Sequence, residues 1–274
     1  IEKGYQYFNL LLSQINPDPY FLLLVCATIC YVACGIYIYK NSKNILLSTI
    51  LLFCVAFPFF ASGLRQSIAM VIVLFAYPLI KKGKILIPIL LILVAAQLHI
   101  SALVALLWFI RKYIPKKPSF VIPTAVCVAI LSASGILNGV LSIVLKEYKN
   151  YFESENAGTG WLGIFYYCLR AVVFFVLIYV AYKDTLENSL EISNAVLLLL
   201  TVCLGFSVNL FNRASLYYLL VATIDIPNAF NSGKMKNRDV LMLGMGVIML
   251  AYFLVTLIAR PEWNNLYPYE FWWD

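Results

Sequence analysis

"ILLSTILLFCVAFPFFASGLRQSIAMVIVLFAYPLI" (residues 45–80) is apolar almost from end to end, yet Gly63, Arg65 and Gln66 stand at its centre. As one helix this stretch would be about 54 Å long at ~1.5 Å per residue, far beyond a ~30 Å hydrocarbon core. A break at Ser62–Gly63 divides it into two crossings that meet on one side of a bilayer. Ser62 is then the expected N-cap, and Arg65 falls in the first turn of the second helix.

The rest of the chain obeys the same solvent. Hydrophobic residues make up 63% of its 274 residues and charged ones 12%, with a mean hydropathy of +0.88. A soluble domain is about half apolar and about a quarter charged, so the chain is not one. Runs near twenty apolar residues recur, and the ten-residue alternation of a β-barrel is absent. The expected fold is all-α: a polytopic integral membrane helical bundle. Its candidate spans are roughly 20–39, 45–62, 63–80, 85–110, 119–145, 161–182, 192–210, 214–230 and 240–259. Residues 1–274 read as a single transmembrane domain. The chain opens on Ile1 and shows no signal peptide, so it is expected to lack the N-terminal helices of a longer protein.

Four loops carry the lysines and arginines: Lys40 and Lys43; Lys81, Lys82 and Lys84; Arg111, Lys112, Lys116 and Lys117; Lys234, Lys236 and Arg238. The positive-inside rule places all four on the cytoplasmic face, and the net charge of +7 becomes a topology signal, not a nucleic-acid footprint. With both ends inside, residues 85–110 allow roughly thirteen residues per leg. That is too short for two full spans, so a short broken or re-entrant hairpin is expected there, turning near "AAQLHISA" at the sole histidine, His99. Residues 146–160 become an extracytoplasmic loop. The seven cysteines all lie in apolar segments, an odd, buried set that argues against a disulfide framework. Cys26, Cys30 and Cys34 share a helical face with no His or acid beside them, which fits packing better than a metal.

The outer side then gathers polar helix starts. Arg65 follows the Ser62–Gly63 break, with Gln66 beside it; His99 has Gln97 and Ser101 as neighbours. In "NLFNRASLYYLL", Asn212 is a candidate cap for a helix whose first turn holds Arg213. Helix N-termini favour anions, and a guanidinium adds a fork matched to phosphate oxygens. Such starts suit an anionic lipid headgroup, although an arginine near a helix end also snorkels to headgroups without further purpose. Arg170, about nine residues into the span from Trp161, calls for a polar cavity or a partner; Asp225 is a candidate partner or a satisfied structural residue. A lone histidine is more often packed than catalytic, but its ordinary pKa of ~6.5 suits taking a proton from a hydroxyl. Glu147, Glu153 and Glu155, in "KEYKNYFESENAGTG", are the other acid–base candidates, in a loop that reads equally as carbohydrate-contacting or as a solvated connector. There is no DxD-like acidic pair on an outer loop, no phosphate loop, no HExxH and no GxSxG. No metal and no cofactor is expected, and anionic charge falls to arginines and helix termini.

"GLRQSIA" (63–69), "HISAL" (99–103) and "NRASLYY" (212–218), in that order, resemble the EpsG-like branch of the Wzy-type polysaccharide polymerases. The opening "EKGYQYFN" resembles that family's E-x-G-Y element, and "NNLYPYEF" near the end its terminal Y-P-Y segment. "TIDIP", with Asp225, departs from the apolar residue more usual there. The resemblance implies a GT-C-like, metal-independent membrane glycosyltransferase of the bacterial plasma membrane, multi-pass, with its active site towards the extracytoplasmic side. It would join undecaprenyl-diphosphate-linked oligosaccharide repeat units, as donor and acceptor, into exopolysaccharide or capsule, with other polysaccharide-assembly proteins as partners. On that reading Arg65 and Arg213 stabilise the diphosphate leaving group, and His99 deprotonates or orients the acceptor hydroxyl. Gln66, Arg170, Tyr217, Tyr218, Gln97 and Glu153 are candidate substrate-binding residues. Tyr5 and Trp161 are possible sugar-stacking rings or plain interfacial anchors. Three rivals stay open. A flippase for lipid-linked sugars should carry polar residues near the midplane. An O-acyltransferase needs a histidine reachable from the cytoplasm. An O-antigen ligase-like enzyme shares the donor and differs in acceptor.

Overall fold

The computed structural model describes residues 2–136, 161–185, 189–206, 209–232 and 235–259. Among them every regular element is helical and no strand occurs. Three described helices are long and apolar enough to cross a membrane: Pro19–Asn41, Leu64–Lys81 and Arg238–Ile258, accompanied by several shorter apolar helices. The chain divides into two compact units, residues 1–103 with 223–274, and residues 104–222.

In the first unit, α1 (Lys3–Ile15), α2 (Pro19–Asn41), α3 (Ile45–Ser62), α4 (Leu64–Lys81) and α5 (Leu86–Leu98) follow one another through short connections. Each boundary has a local cause. Asp18 caps α2 by accepting the Tyr20 N–H at 2.9 Å, with Pro19 at the first helical position, where a missing N–H costs nothing. Asn44 caps α3 by accepting the Leu47 N–H at 3.0 Å. The expected break in residues 45–80 is present, but its cap is corrected: Ser62 is the last residue of α3, and Gly63 is the N-cap of α4 with no side-chain bond. Gly63 is apt there because an added Cβ would lie 2.6 Å from the Phe59 ring. Cys26, Cys30 and Cys34, each 1% exposed, form the buried stripe of α2, which packs on α3 and α4. Phe53 meets Phe253 edge-on at 5.2 Å, joining α3 to the helix Arg238–Ala259, hereafter α10.

Residues 85–110 do not run as one helix. α5 ends at Leu98, His99 is extended (φ −155°, ψ 117°), and Ile100–Ile110 winds as a 3-10 helix, which begins with the Ala102 N–H donating to the His99 carbonyl at 3.0 Å. The break therefore falls at the histidine.

The second unit holds α6 (Pro118–Ala133), α7 (Trp161–Tyr182), α8 (Leu190–Leu204) and the beginning of α9 (Asn209–Phe230). α8 packs on α6 and α7 and is buried along nearly its whole length, including Ser193 and Asn194. Ser189 caps it by accepting the Ile192 N–H at 3.2 Å. Lys116 is drawn inward rather than solvated: its ammonium donates to the Arg111 carbonyl (2.5 Å) and the Ile114 carbonyl (3.3 Å), satisfying carbonyls left over where the 3-10 helix ends.

Candidate functional site

The first unit brings two of the expected residues to one carboxylate. Glu2 Oε2 accepts from Arg65 Nη1 at 3.0 Å. Glu2 Oε1 lies 3.1 Å from His99 Nδ1 and accepts the Ile100 N–H at 3.3 Å. Three elements make this possible. α4 starts one residue after the Gly63 break and so presents Arg65 in its first turn. The extended His99 ends α5 and frees the Ile100 N–H at the start of a new helix, where an anion is welcome. α1 then approaches α5 closely: a Cβ on Gly4 would lie 2.5 Å from the Gln97 carbonyl oxygen, so no larger residue fits without moving backbone. Glu2 facing His99 and Gly4 facing Gln97 match two steps forward on α1 to two steps back on α5, an antiparallel approach.

Exposure is graded across the cluster. The Arg65 side chain is 42% exposed, Glu2 21% and His99 14%, so the guanidinium is the accessible member and the imidazole the enclosed one. The Arg65 guanidinium carbon also lies 5.8 Å from the centre of the buried Tyr5 ring, within cation–π range. Burial pushes the Glu2 carboxyl up. Hydrogen bonds from its own backbone, from Ile100 and from His99, together with the charge of a protonated His99, outweigh this and hold it below its ordinary 4.5. Glu2 is thus an anion at neutral pH and can only accept. With Nδ1–H given to Glu2, a neutral His99 has its lone pair on Nε2. The cluster offers a base and a forked cation side by side.

The remaining expected residues fall in several places. Gln66, next to Arg65, is buried at 3% exposure, and Gln97 is exposed at the end of α5 beside Gly4. In the second unit Arg170 is half-buried, its guanidinium 5.2 Å from the Tyr167 ring centre. Asp225 accepts from the Tyr77 hydroxyl at 2.8 Å, a structural partner within the first unit. Arg213 is exposed, but its expected helix start is corrected: α9 begins at Asn209, so Asn212 is inside the helix and is not its N-cap. The Asn212 amide instead donates to the Gly205 carbonyl at 2.9 Å, tying the end of α8 to α9. Tyr217 and Tyr218 are buried core residues. The Tyr218 hydroxyl donates to the Val104 carbonyl at 2.8 Å, and its ring meets Trp108 edge-on at 5.8 Å. Trp108 Nε1–H donates to Asn194 Oδ1 at 3.1 Å, and Asn194 Nδ2 donates to the Tyr218 carbonyl at 3.0 Å, closing a ring of neutral contacts. Glu147, Glu153 and Glu155, and the side chain of Trp161, lie outside the described residues.

The profile of the EpsG family matches residues 1–271. The chain belongs to the EpsG family. Membership supports a polysaccharide polymerase-like function and, with the apolar helices, fits a membrane protein. No curated protein and no solved structure matches the chain. In this EpsG-family chain, reading the sequence residue by residue missed Glu2 as a site residue. The signal was in view: "EKGY" supplies Glu2, the close-approach Gly4 and the Tyr5 ring beneath Arg65, yet without its distant partners the element reads as a polar, aromatic stretch.

Proposed function

We propose that this EpsG-family chain is a membrane glycosyltransferase that polymerises undecaprenyl-diphosphate-linked oligosaccharide repeat units on the outer leaflet of a bacterial plasma membrane, in a GT-C-like bundle. The observation that carries the reading is the convergence of Arg65 and His99 on Glu2, which sets a base beside an accessible cation. In the reaction a sugar hydroxyl of the acceptor attacks the anomeric carbon of the donor glycan. The new C–O bond forms as the bond from that carbon to the diphosphate breaks. The hydroxyl proton passes to His99 Nε2, and undecaprenyl diphosphate leaves with the electron pair. A guanidinium has five N–H donors, and the Arg65 group engages Glu2 through one of its nitrogens, so it retains donors for the charge growing on the leaving oxygen. Arg213 stays with the sequence reading as a second cation for an anionic substrate, as do Gln66, Gln97, Arg170 and Glu153 as substrate contacts. Tyr217 and Tyr218, whose side chains are buried, keep the same reading as substrate contacts. The break at His99, read as the tip of a re-entrant hairpin opening outward, gives the acceptor its route to the imidazole.

The test uses purified protein in lipid with a defined undecaprenyl-diphosphate repeat unit and a chelator, and resolves products by size. A glycan ladder from the wild type, lost in Arg65→Ala and Arg213→Ala and weakened in His99→Ala, is the expected result. A wild type that moves the substrate across a vesicle bilayer without lengthening it would replace this reading with a flippase. Transfer of one unit to a different acceptor with no ladder would make it ligase-like.

A further inference from the structure

We propose that Glu2 is a positioning residue that fixes His99 as the Nδ1–H tautomer and aims its Nε2 lone pair at the acceptor hydroxyl. The inference rests on the reading of His99 as the base, and extends it to a residue that itself touches no substrate.

Three features of the cluster lead there. First, the two carboxylate oxygens are divided between tasks: Oε1 faces His99 Nδ1 (3.1 Å) and the Ile100 N–H (3.3 Å), while Oε2 holds Arg65 (3.0 Å). An ionised carboxylate only accepts, so the ring nitrogen opposite it donates, and in a neutral ring this contact favours the Nδ1–H tautomer. Second, Oε1 grips the backbone at Ile100 as well as the ring at His99, which fixes the peptide that carries the imidazole together with the imidazole itself. A ring in the first residue after a helix end otherwise turns with its backbone. Third, Glu2 is delivered by a close packing contact, not by a flexible tether: Gly4 abuts the Gln97 backbone two residues before the histidine. Positioning of this kind requires a rigid support, and this contact provides it.

The arrangement is poorly suited to being a stability device. An ion pair with a 42% exposed guanidinium contributes little to holding a fold. The contact with the 14% exposed imidazole decides which of two nitrogens bears the proton, a choice on which base chemistry depends. The held Arg65 gains from the same contact: one amino group is fixed, so the plane of the fork is set before an anion arrives.

His99 is the only histidine in the 274 residues, so 15N-histidine labelling yields one imidazole to read. Protein in lipid, without substrate, is to be compared with Glu2→Ala by solid-state NMR at neutral pH. The expected wild-type spectrum has a protonated Nδ1 and an unprotonated Nε2; in Glu2→Ala the proton populates Nε2. Should Glu2→Ala fail to fold, Glu2→Leu keeps the bulk, removes both acceptor oxygens and is read in the same way. An Nε2–H tautomer in the wild type, or a tautomer unchanged by either substitution, overturns the inference whatever the protein's activity. In the ladder assay Glu2→Ala is expected to lower kcat by about 10- to 100-fold while the KM for the lipid-linked unit stays within about threefold, as for lost base catalysis rather than lost binding. A kcat within about twofold of wild type also overturns it. A wild type that makes no ladder but shows the Glu2-dependent tautomer would refute the polymerase reading and leave the positioning geometry standing.

Discussion

Two of the polar clusters among the described residues are built on opposite plans. Glu2, Arg65 and His99 in the first unit are charged or chargeable and graded from 14% to 42% exposure. Trp108, Asn194 and Tyr218 in the second are neutral, each 0% exposed, and hand hydrogen bonds to one another. Neutral groups buried away from water are tolerable when each donor has an acceptor, and here the Trp108 N–H and the Asn194 amide donate within the cluster while the Tyr218 hydroxyl donates to the Val104 carbonyl. A charged cluster left partly open serves no such end, since opening weakens its ion pair. What it retains is a guanidinium 42% exposed, open to an anion under the proposed function. The difference is physical: the second cluster is closed among its neighbours, whereas the first leaves a charged group within reach of solvent and of an anion.

The largest expected effect breaks the first cluster. Arg65→Ala should lower polymerisation by about 10²- to 10³-fold, the usual cost of removing a preorganised donor from a developing charge, with a melting temperature close to wild type. The paired experiment on the second cluster should invert that pattern. Asn194→Ala removes the acceptor of the Trp108 N–H and one donor to the Tyr218 carbonyl, and thermal unfolding in lipid should show a loss of about 1–3 kcal/mol. Residual activity per folded molecule should match wild type. Gly4→Ala lies between: the added methyl must displace the Gln97 backbone, costing about 1–3 kcal/mol, and activity should fall with it because Glu2 is carried away from His99. Activity without loss of stability, or the reverse, would separate the two roles assigned to α1.

The smallest effect concerns pH. The Glu2 carboxyl is held below 4.5 in the folded protein, so its contribution is present above 4.5 and fades as pH falls through the lower folded value. A melting-temperature profile from pH 6 down to about 3 should therefore decline more steeply for wild type than for Glu2→Leu, by less than about 1 kcal/mol given the solvent around the pair. No such difference should attach to the neutral cluster.

Much of this was legible in the residues themselves. The apolar runs required membrane helices, the excess length of residues 45–80 required a break, and the break stands at Gly63. Arg65 and His99 were picked out as polar residues that apolar surroundings do not explain. Their meeting was not legible, because it depends on a carboxylate 97 positions from His99 in sequence, and periodicity reports only local neighbours. The helix starts at Ser62 and Asn212 were misplaced for a related reason: Ser, Asn and Gly all suit an N-cap, and tertiary contacts decide among them. Asn212 finds the Gly205 carbonyl rather than its own helix terminus. The burial of Tyr217 and Tyr218 was not legible either, because it is set by neighbours on other elements, such as the Val104 carbonyl that accepts from the Tyr218 hydroxyl.

The 3-10 helix that follows His99 carries a lesson for anyone editing this gene. Three residues per turn place every third side chain in a straight file, and Ala102, Ala105 and Trp108 are all 0% exposed along it. The segment is thus read in threes. Deleting one residue between Ala102 and Trp108 would swing the indole by about 120° out of its file, whereas deleting three would shorten the file by about 6 Å and leave the indole in line. Only changes in multiples of three keep the indole in its file, and even these part it from Asn194 by moving it along the axis.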